Sequence, residues 1–340
     1  MQVSTLWKNF SDLGWLSIPF SAASGGLEQG VPEAGIVAEA IGYYGVRVPY
    51  VTCILLCGGL IARAGTKDQQ SDLLPKVMDG EVKLALAYRP EGTASEGGAA
   101  LSRNAAGWTL NGKSLAVVDA EEAHFFLIAV VDENDSNARS DTSVFLVPRN
   151  AIGLDITERS SIDGSGLVDL HFNSVFIAEE AQLRGDQLAS GALAASCDSA
   201  IIGWGFELVG IMQSLLERTR DFISDRQQFG RPVGANQVIR HRFVDMHILC
   251  EEASMLTRRA AGGCDDRRTR AMLASAVKAK VVDSAQTVAQ EAIQLHGAMG
   301  FTDDLPIGRY LRRILAIRPL LGSPEYHLCR YGCLYGHSAE

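Results

Sequence analysis

A chain of 340 residues, 47% of them hydrophobic, is long enough for two or three buried cores, which excludes a small scaffold stapled by disulfides. Thirty-one Lys and Arg against 40 Asp and Glu leave a net charge of −9, an argument against binding a phosphate backbone and so against a nucleic-acid partner. Seven cysteines without a CxxC read as reduced thiols; no apolar run reaches the roughly 18 residues of a membrane span and no export signal opens the chain, so a cytoplasmic location is expected.

In chain order, residues 1–82 read as a helical domain: between Gly35 and Gly65 the alanines and leucines recur at helical spacing, punctuated by Gly and Pro. At Lys83 the pattern changes. KLALAYR, WTLNGKSLAVV, FFLIAVV, SVFLVP and LVDLHFNSVF are short β-rich runs separated by Gly, Asn and Asp, and they predict an antiparallel β-domain over 83–188. From residue 189 onward long helices are predicted, over about 190–225, 236–262 and 267–297 and from Pro324, with Ile201, Leu208, Leu215 and Phe222 on one stripe. They amount to a four-helix bundle over 189–340. The fold class is α+β and multi-domain, and its helical, β, helical order excludes a parallel βαβ array.

Common phosphate and metal signatures are missing. No GxGxxG follows a strand, GGLIARAGTK lacks the lysine that a P-loop needs after its second Gly, and His241 and His247 are six apart, off the i, i+4 spacing of a shared metal. DRQQFGRPV, residues 225–233, is more informative. It sets Arg226 at a helix end ahead of Phe229 and a Gly turn, so a guanidinium could fork onto a pyrophosphate while the phenyl ring packs on an aromatic. The same arginine could instead cap helix carbonyls. In AIQLHGAMGFTDDLPIGRYLRR, residues 292–313, Gln294 at a helix end followed by Gly297 and Gly300 exposes backbone N–H groups suited to a phosphate-bearing ligand.

RQQFGRPVGANQ, QLHGAMGF followed by P-x-x-R-Y-x-R, and GWLSIPFSAASGG near the N-terminus together resemble the acyl-CoA dehydrogenase family, in the same order over nearly the whole chain. The resemblance implies a flavoprotein with a helical, β, helical-bundle fold. FAD would lie between β-domain and bundle, its pyrophosphate and adenine reaching a neighbouring subunit. Position by position, Arg226, Gln228 and Phe229 match the family's flavin-diphosphate arginine loop, Gln237 a position near the adenine end, and Gln294 and Gly297 the neighbour's glutamine-glycine turn.

The chain also departs from the family. It begins near GWLSIPFSAASGG, which resembles an early segment of the family, so the family's opening helices are expected to be missing and the N-terminal domain shortened. LAYRPEGTAS carries Tyr88 and Arg89 where the flavin loop has Thr-Glu, and Ala116-Val117-Val118 replaces a Trp-x-Thr, leaving Tyr88 and Val118 at flavin-facing positions. The catalytic glutamate, which precedes a Gly-Thr in the family, falls on Leu321, ahead of Gly322 and a flavin-facing Ser323. Some relatives place that base on the first bundle helix, and there the matching residue is Ala200. An alkyl side chain accepts no proton. Asp198 and Glu325 are the substitute acids; each also reads as an ordinary charge near a helix start, Glu325 directly after Pro324.

These residues lead to two expectations. In the first, the chain is one subunit of a hetero-oligomeric acyl-CoA dehydrogenase, similar to those acting on bulky steroid side-chain thioesters in bacteria, with a sister chain supplying the glutamate. A carboxylate would take the α-proton of the acyl-CoA and flavin N5 the β-hydride, and electrons would pass to an electron-transfer flavoprotein. The second is a homomeric pseudoenzyme or binding protein that retains the fold. Either way a dimer or tetramer, homo- or hetero-oligomeric and joined through the bundle, is expected.

Overall fold

The computed structural model describes residues 3–90, 98–104, 107–131, 142–263, 266–302 and 304–336. Two compact units emerge, Met1–Ala34 with Val48–Ala200, and Gly35–Arg47 with Ile201–Glu340.

The first unit opens with helix α1 (Val3–Asp12); helix α2 (Val31–Tyr44) begins in this unit and ends in the other. A π-helical stretch, Val51–Gly58, every residue of it buried, runs into α3 (Gly59–Ala64). Helix α4 (Lys67–Met78) starts at a capping box, in which the Thr66 hydroxyl accepts from the Gln69 amide and the Gln69 side chain accepts from Thr66 N–H. Seven strands follow: β1 (Leu84–Ala87), β2 (Ala99–Asn104), β3 (Gly107–Val118), β4 (Phe125–Val131), β5 (Thr142–Pro148), β6 (Leu154–Ser160) and β7 (Gly166–Ala178). They form two sheets, ordered β1-β4-β5 and β2-β3-β7-β6, around a core that includes Trp108, Phe126, Phe145, Val168 and Leu170.

The β-rich runs are thus strands, with one correction to the antiparallel expectation: β1 pairs with β4 in parallel, Leu84 opposite Phe125 through Ala87 opposite Ile128. Between these two strands the chain passes through β2 and β3 in the other sheet, and a connection of that length permits parallel pairing.

Helix α5 (Ala189–Asp225) starts in the first unit and continues into the second. It alone among the described residues is long and apolar enough to cross a membrane, yet 94% of its most apolar window is buried, as in the core helix of a globular protein. The second unit adds a two-residue ribbon, β8 (Gln227–Gln228) with β9 (Arg231–Pro232), then α6 (Gln237–Ala261), α7 (Arg267–His296), α8 (Ile307–Ile317) and α9 (Pro324–Gly336). The four helices expected of the bundle are present, and α8 is a fifth, 11 residues burying Ile307, Tyr310, Ile314 and Ile317. Within this unit α2 and α5 approach at backbone distance. A Cβ on Gly42 would lie 1.9 Å from Glu207 O, and one on Gly210 1.9 Å from Glu39 O, so only glycine fits at either place.

Candidate functional site

Helix α5 ends where Arg226 N–H donates to Phe222 O, 2.9 Å. The chain then reverses in the β8–β9 ribbon, with Phe229 at φ 53° and Gly230 at φ 79°, positive at both central positions as a type I′ turn requires. Gly adopts this without strain, whereas a Phe in left-handed backbone costs about 1–2 kcal/mol. Phe229 is moreover fully exposed. Arg226 and Gln228 are exposed beside it, and the Arg226 guanidinium makes no hydrogen bond or ion pair among the described residues, helix carbonyls included. The local bond in this turn belongs to Arg231, whose Nη2 donates to Asn236 Oδ1 at 2.6 Å. Gln237, the first residue of α6, is exposed.

Helix α7 ends at His296 and passes into Gly297, whose φ 61°, ψ −139° are open to glycine alone. A Cβ there would meet nothing within 4 Å, so the backbone faces open space, and Gln294 is exposed one turn earlier. His296 is buried and stacks on Phe222 at 4.4 Å and 28°, with its Nδ1–H donating to Ala292 O at 2.7 Å. Burial lowers its pKa, against the opposing effect of its backbone hydrogen bonds. The stack joins the end of α5 to the end of α7, so the arginine loop and the glutamine-glycine turn follow directly from two helix ends clamped together.

The corner after α8 contains Leu321 in left-handed backbone, φ 55°, and Gly322 at φ 105°. Three groups secure it. Lys278 on α7, 2% exposed, donates from Nζ to Ile317 O and to Leu320 O, both at 2.8 Å. Burial, helped by the Arg318 charge, pushes its pKa down to about 7. His327, 1% exposed, lies 2.9 Å through Nε2 from Leu321 O; a carbonyl only accepts, so Nε2 carries the proton, and Nδ1 accepts from the Ser275 hydroxyl at 3.2 Å. Burial depresses the His327 pKa to about 4, which preserves this tautomeric arrangement at neutral pH. Arg318 bridges Asp283 (2.6 Å) and Glu325 (2.8 Å). What this machinery presents is the half-buried alkyl side chain of Leu321. Glu325 is in the first turn of α9, exposed, its pKa lowered by hydrogen bonding to Ser323 and by Arg318. Ser323 Oγ accepts from Tyr326 N–H at 3.3 Å.

In the first unit, β1 leads into Tyr88, half-buried, and Arg89, whose Nη2 donates to Leu115 O at 3.1 Å. At the end of β3, Ala116 adopts φ 54° with its N–H donating to Asp169 Oδ1 at 2.8 Å, and Asp169 also pairs with Arg159 at 2.5 Å. Val117 is buried and Val118 half-buried. Just beyond, Asp119 (φ 53°) accepts from the Thr52 hydroxyl at 2.5 Å. This strand end is held in shape by hydrogen bonds to the Asp169 and Asp119 carboxylates. The rest of the LAYRPEGTAS loop, residues 91–95, lies outside the described residues. Asp198 and Ala200 are both buried in α5, 1% and 0% exposed.

Lys278 and His327 were not singled out from the sequence. A signal was present in ASAVKAKVV, where a lysine interrupts an apolar run, but only the fold shows which carbonyls it meets.

Comparison with known proteins agrees with this layout. The acyl-CoA dehydrogenase N-terminal domain model matches residues 2–81 and the acyl-CoA dehydrogenase C-terminal domain model residues 202–331, together more than half of the chain. Mitochondrial isovaleryl-CoA dehydrogenase of Solanum tuberosum is 26% identical over 317 residues, 90% of this chain and 76% of that protein. Among solved structures, PigA with FAD and proline superposes with a TM-score of 0.87 at 23% identity, covering 98% of this chain and 89% of that one. The ChsE4-ChsE5 complex from Mycobacterium tuberculosis superposes with a TM-score of 0.87 at 22% identity, covering 98% and 88%. With helical, β and helical parts in the family's order and both domain models matched, the chain belongs to the acyl-CoA dehydrogenase family.

Proposed function

We propose that this chain is one subunit of a hetero-oligomeric, FAD-dependent acyl-CoA dehydrogenase in which a sister chain supplies the carboxylate that takes the substrate's α-proton. The observation that carries this reading is the corner at Leu321. Lys278, His327 and Arg318 fix its backbone, yet the side chain offered at the family's base position is hydrocarbon. At the other base position Ala200 is equally unable to accept a proton, and Glu325 is bound in an ion pair with Arg318. A structure of the same fold, ChsE4-ChsE5, is a complex of two differently named chains.

The residues present fit FAD at its diphosphate end. An exposed arginine without a partner among the described residues, a strained and fully exposed phenylalanine, and a glycine turn open to close backbone approach are features that a bound diphosphate and a ring would occupy. Arg226, Gln228 and Phe229 would hold the diphosphate, with Gln237 toward the adenine and Gln294 and Gly297 serving the neighbouring subunit's cofactor. Tyr88, Val118 and Ser323 would face the flavin chiefly through backbone. The chemistry FAD supplies when bound is acceptance of a hydride from the β-carbon, giving an enoyl-CoA. This chain's share is to orient the thioester and exclude water, and an electron-transfer flavoprotein would take the electrons onward.

The test is purification of the chain alone and with a co-expressed sister dehydrogenase chain that contains the glutamate, followed by visible spectra and acyl-CoA-dependent dye reduction. Flavin absorbance and enoyl product in the co-purified complex, with no turnover by the chain alone, are expected. Full turnover by the chain alone refutes the division of labour; a colourless, inactive protein in both preparations favours the pseudoenzyme reading.

A further inference from the structure

The second unit contains a cavity of about 630 Å³, within the range of small-molecule pockets, partly lined by Pro306, Arg309 and Tyr310 of the P-x-x-R-Y-x-R stretch but by none of the residues assigned above to the flavin site. Arg47, Arg218, Arg309 and Arg313 line it, with Glu207 as the one acidic residue among its lining. Glu207 is 3% exposed and already committed: Arg313 grips it in a fork, Nε to Oε1 at 2.6 Å and Nη2 to Oε2 at 3.1 Å. Arg218 donates from Nε to Ser214 Oγ at 3.3 Å and has no carboxylate partner among the described residues. Arg47 and Arg309 make no hydrogen bond or ion pair there at all.

Four guanidinium groups against one carboxylate leave three positive charges facing one cavity, in a chain whose overall charge is −9. The arrangement follows from helix geometry. Arg309 and Arg313 are one turn apart on α8, and Glu207, Ile211 and Arg218 follow one face of α5. Arg309 also lies in the first turn of α8, which adds the positive end of that helix's dipole. The mouth carries Tyr44, 74% exposed, a flat apolar surface beside the charges.

We infer that this cavity is a second anion site, distinct from the flavin site, that takes a phosphate-bearing small molecule on the forks of Arg47, Arg218 and Arg309. Guanidinium forks match the paired oxygens of a phosphate, and an open concavity of this size suits a small ligand. The inference stands independently of the proposed dehydrogenation, because none of these residues belongs to the arginine loop, the glutamine-glycine turn or the Leu321 corner.

The test is titration calorimetry of the full-length chain, saturated with FAD, against inorganic pyrophosphate and against ADP at low and at physiological salt. Saturable binding of both is expected, weakening with salt and at least tenfold weaker in the Arg47→Ala/Arg309→Ala double variant, with flavin content unchanged. Arg226→Ala should lower flavin content and leave pyrophosphate affinity alone, so loss of the flavin reading cannot be confused with loss of this one. The single variants Arg47→Gln and Arg309→Gln, both at exposed positions, preserve the test should the double variant fold poorly. Absence of saturable pyrophosphate binding, equal affinity in parent and variants, or uptake of an acidic peptide in preference to pyrophosphate would overturn the inference.

Discussion

Replacing Lys278 by Met isolates the energetics of the Leu321 corner, because Met retains most of the apolar stem and removes both donated hydrogen bonds. Ile317 O and Leu320 O, each 2.8 Å from Nζ, then lose their partner, at about 1–3 kcal/mol for each buried group left unsatisfied. Against that sum of about 2–6 kcal/mol stands relief from burying the amine, so a net loss of about 2–4 kcal/mol is expected. The pH dependence gives a second handle. Lys278 titrates at about 7 folded against 10.5 in its ordinary environment, so across that window the unfolded chain binds the proton and the folded one releases it. Wild-type stability should therefore rise with pH from about 7 toward 10.5, be independent of this group below 7, and lose that slope in the variant. Urea titration by circular dichroism at several pH values measures the global effect. Amide exchange at Gly322 and His327 measures the corner itself, and 2–4 kcal/mol of local weakening means exchange about one and a half to three orders of magnitude faster. A loss below about 1 kcal/mol with an unchanged pH slope would refute the reasoning.

Leu321→Glu puts a carboxylate on the anchored backbone; if the proposed function holds, the flavin-loaded chain alone should gain about 10²- to 10⁴-fold in acyl-CoA-dependent dye reduction, and no gain would mean the corner does not face the substrate. His327 titrates at about 4 folded against 6.5 ordinarily, so stability should fall as pH drops from about 6.5 to 4 and level off below; denaturation midpoints for the wild type and His327→Gln, the latter lacking this step, check it. Arg226→Ala, at an exposed position without a side-chain partner among the described residues, should leave urea stability within about 0.5 kcal/mol while lowering the flavin-to-protein absorbance ratio at least tenfold.

The legible parts of this protein are those that local pattern dictates. The helical period from residue 189 onward gives α5, α6, α7 and α9 nearly to their ends, because an apolar stripe at 3.6 residues has one way to be buried. The arginine loop and the glutamine-glycine turn were readable for a similar reason, since positive φ at Gly230 and Gly297 is a demand that sequence meets locally. Helix α8 was hidden because Arg309, Arg312 and Arg313 dilute an apolar face that appears only once Ile307, Tyr310, Ile314 and Ile317 are aligned.

The sequence by itself determined most of the helices and strands and which loops resemble a flavin-diphosphate site. Tertiary structure alone decided the parallel pairing of β1 with β4, the gripping of the Leu321 corner by Lys278 and His327, and the convergence on one cavity of three arginines that have no carboxylate partner among the described residues. Each of these joins residues remote in the chain, Arg47 with Arg309 or Lys278 with Leu320, and depends on how helices and strands pack. Periodicity reports the face an element buries and is silent on which partner that face meets.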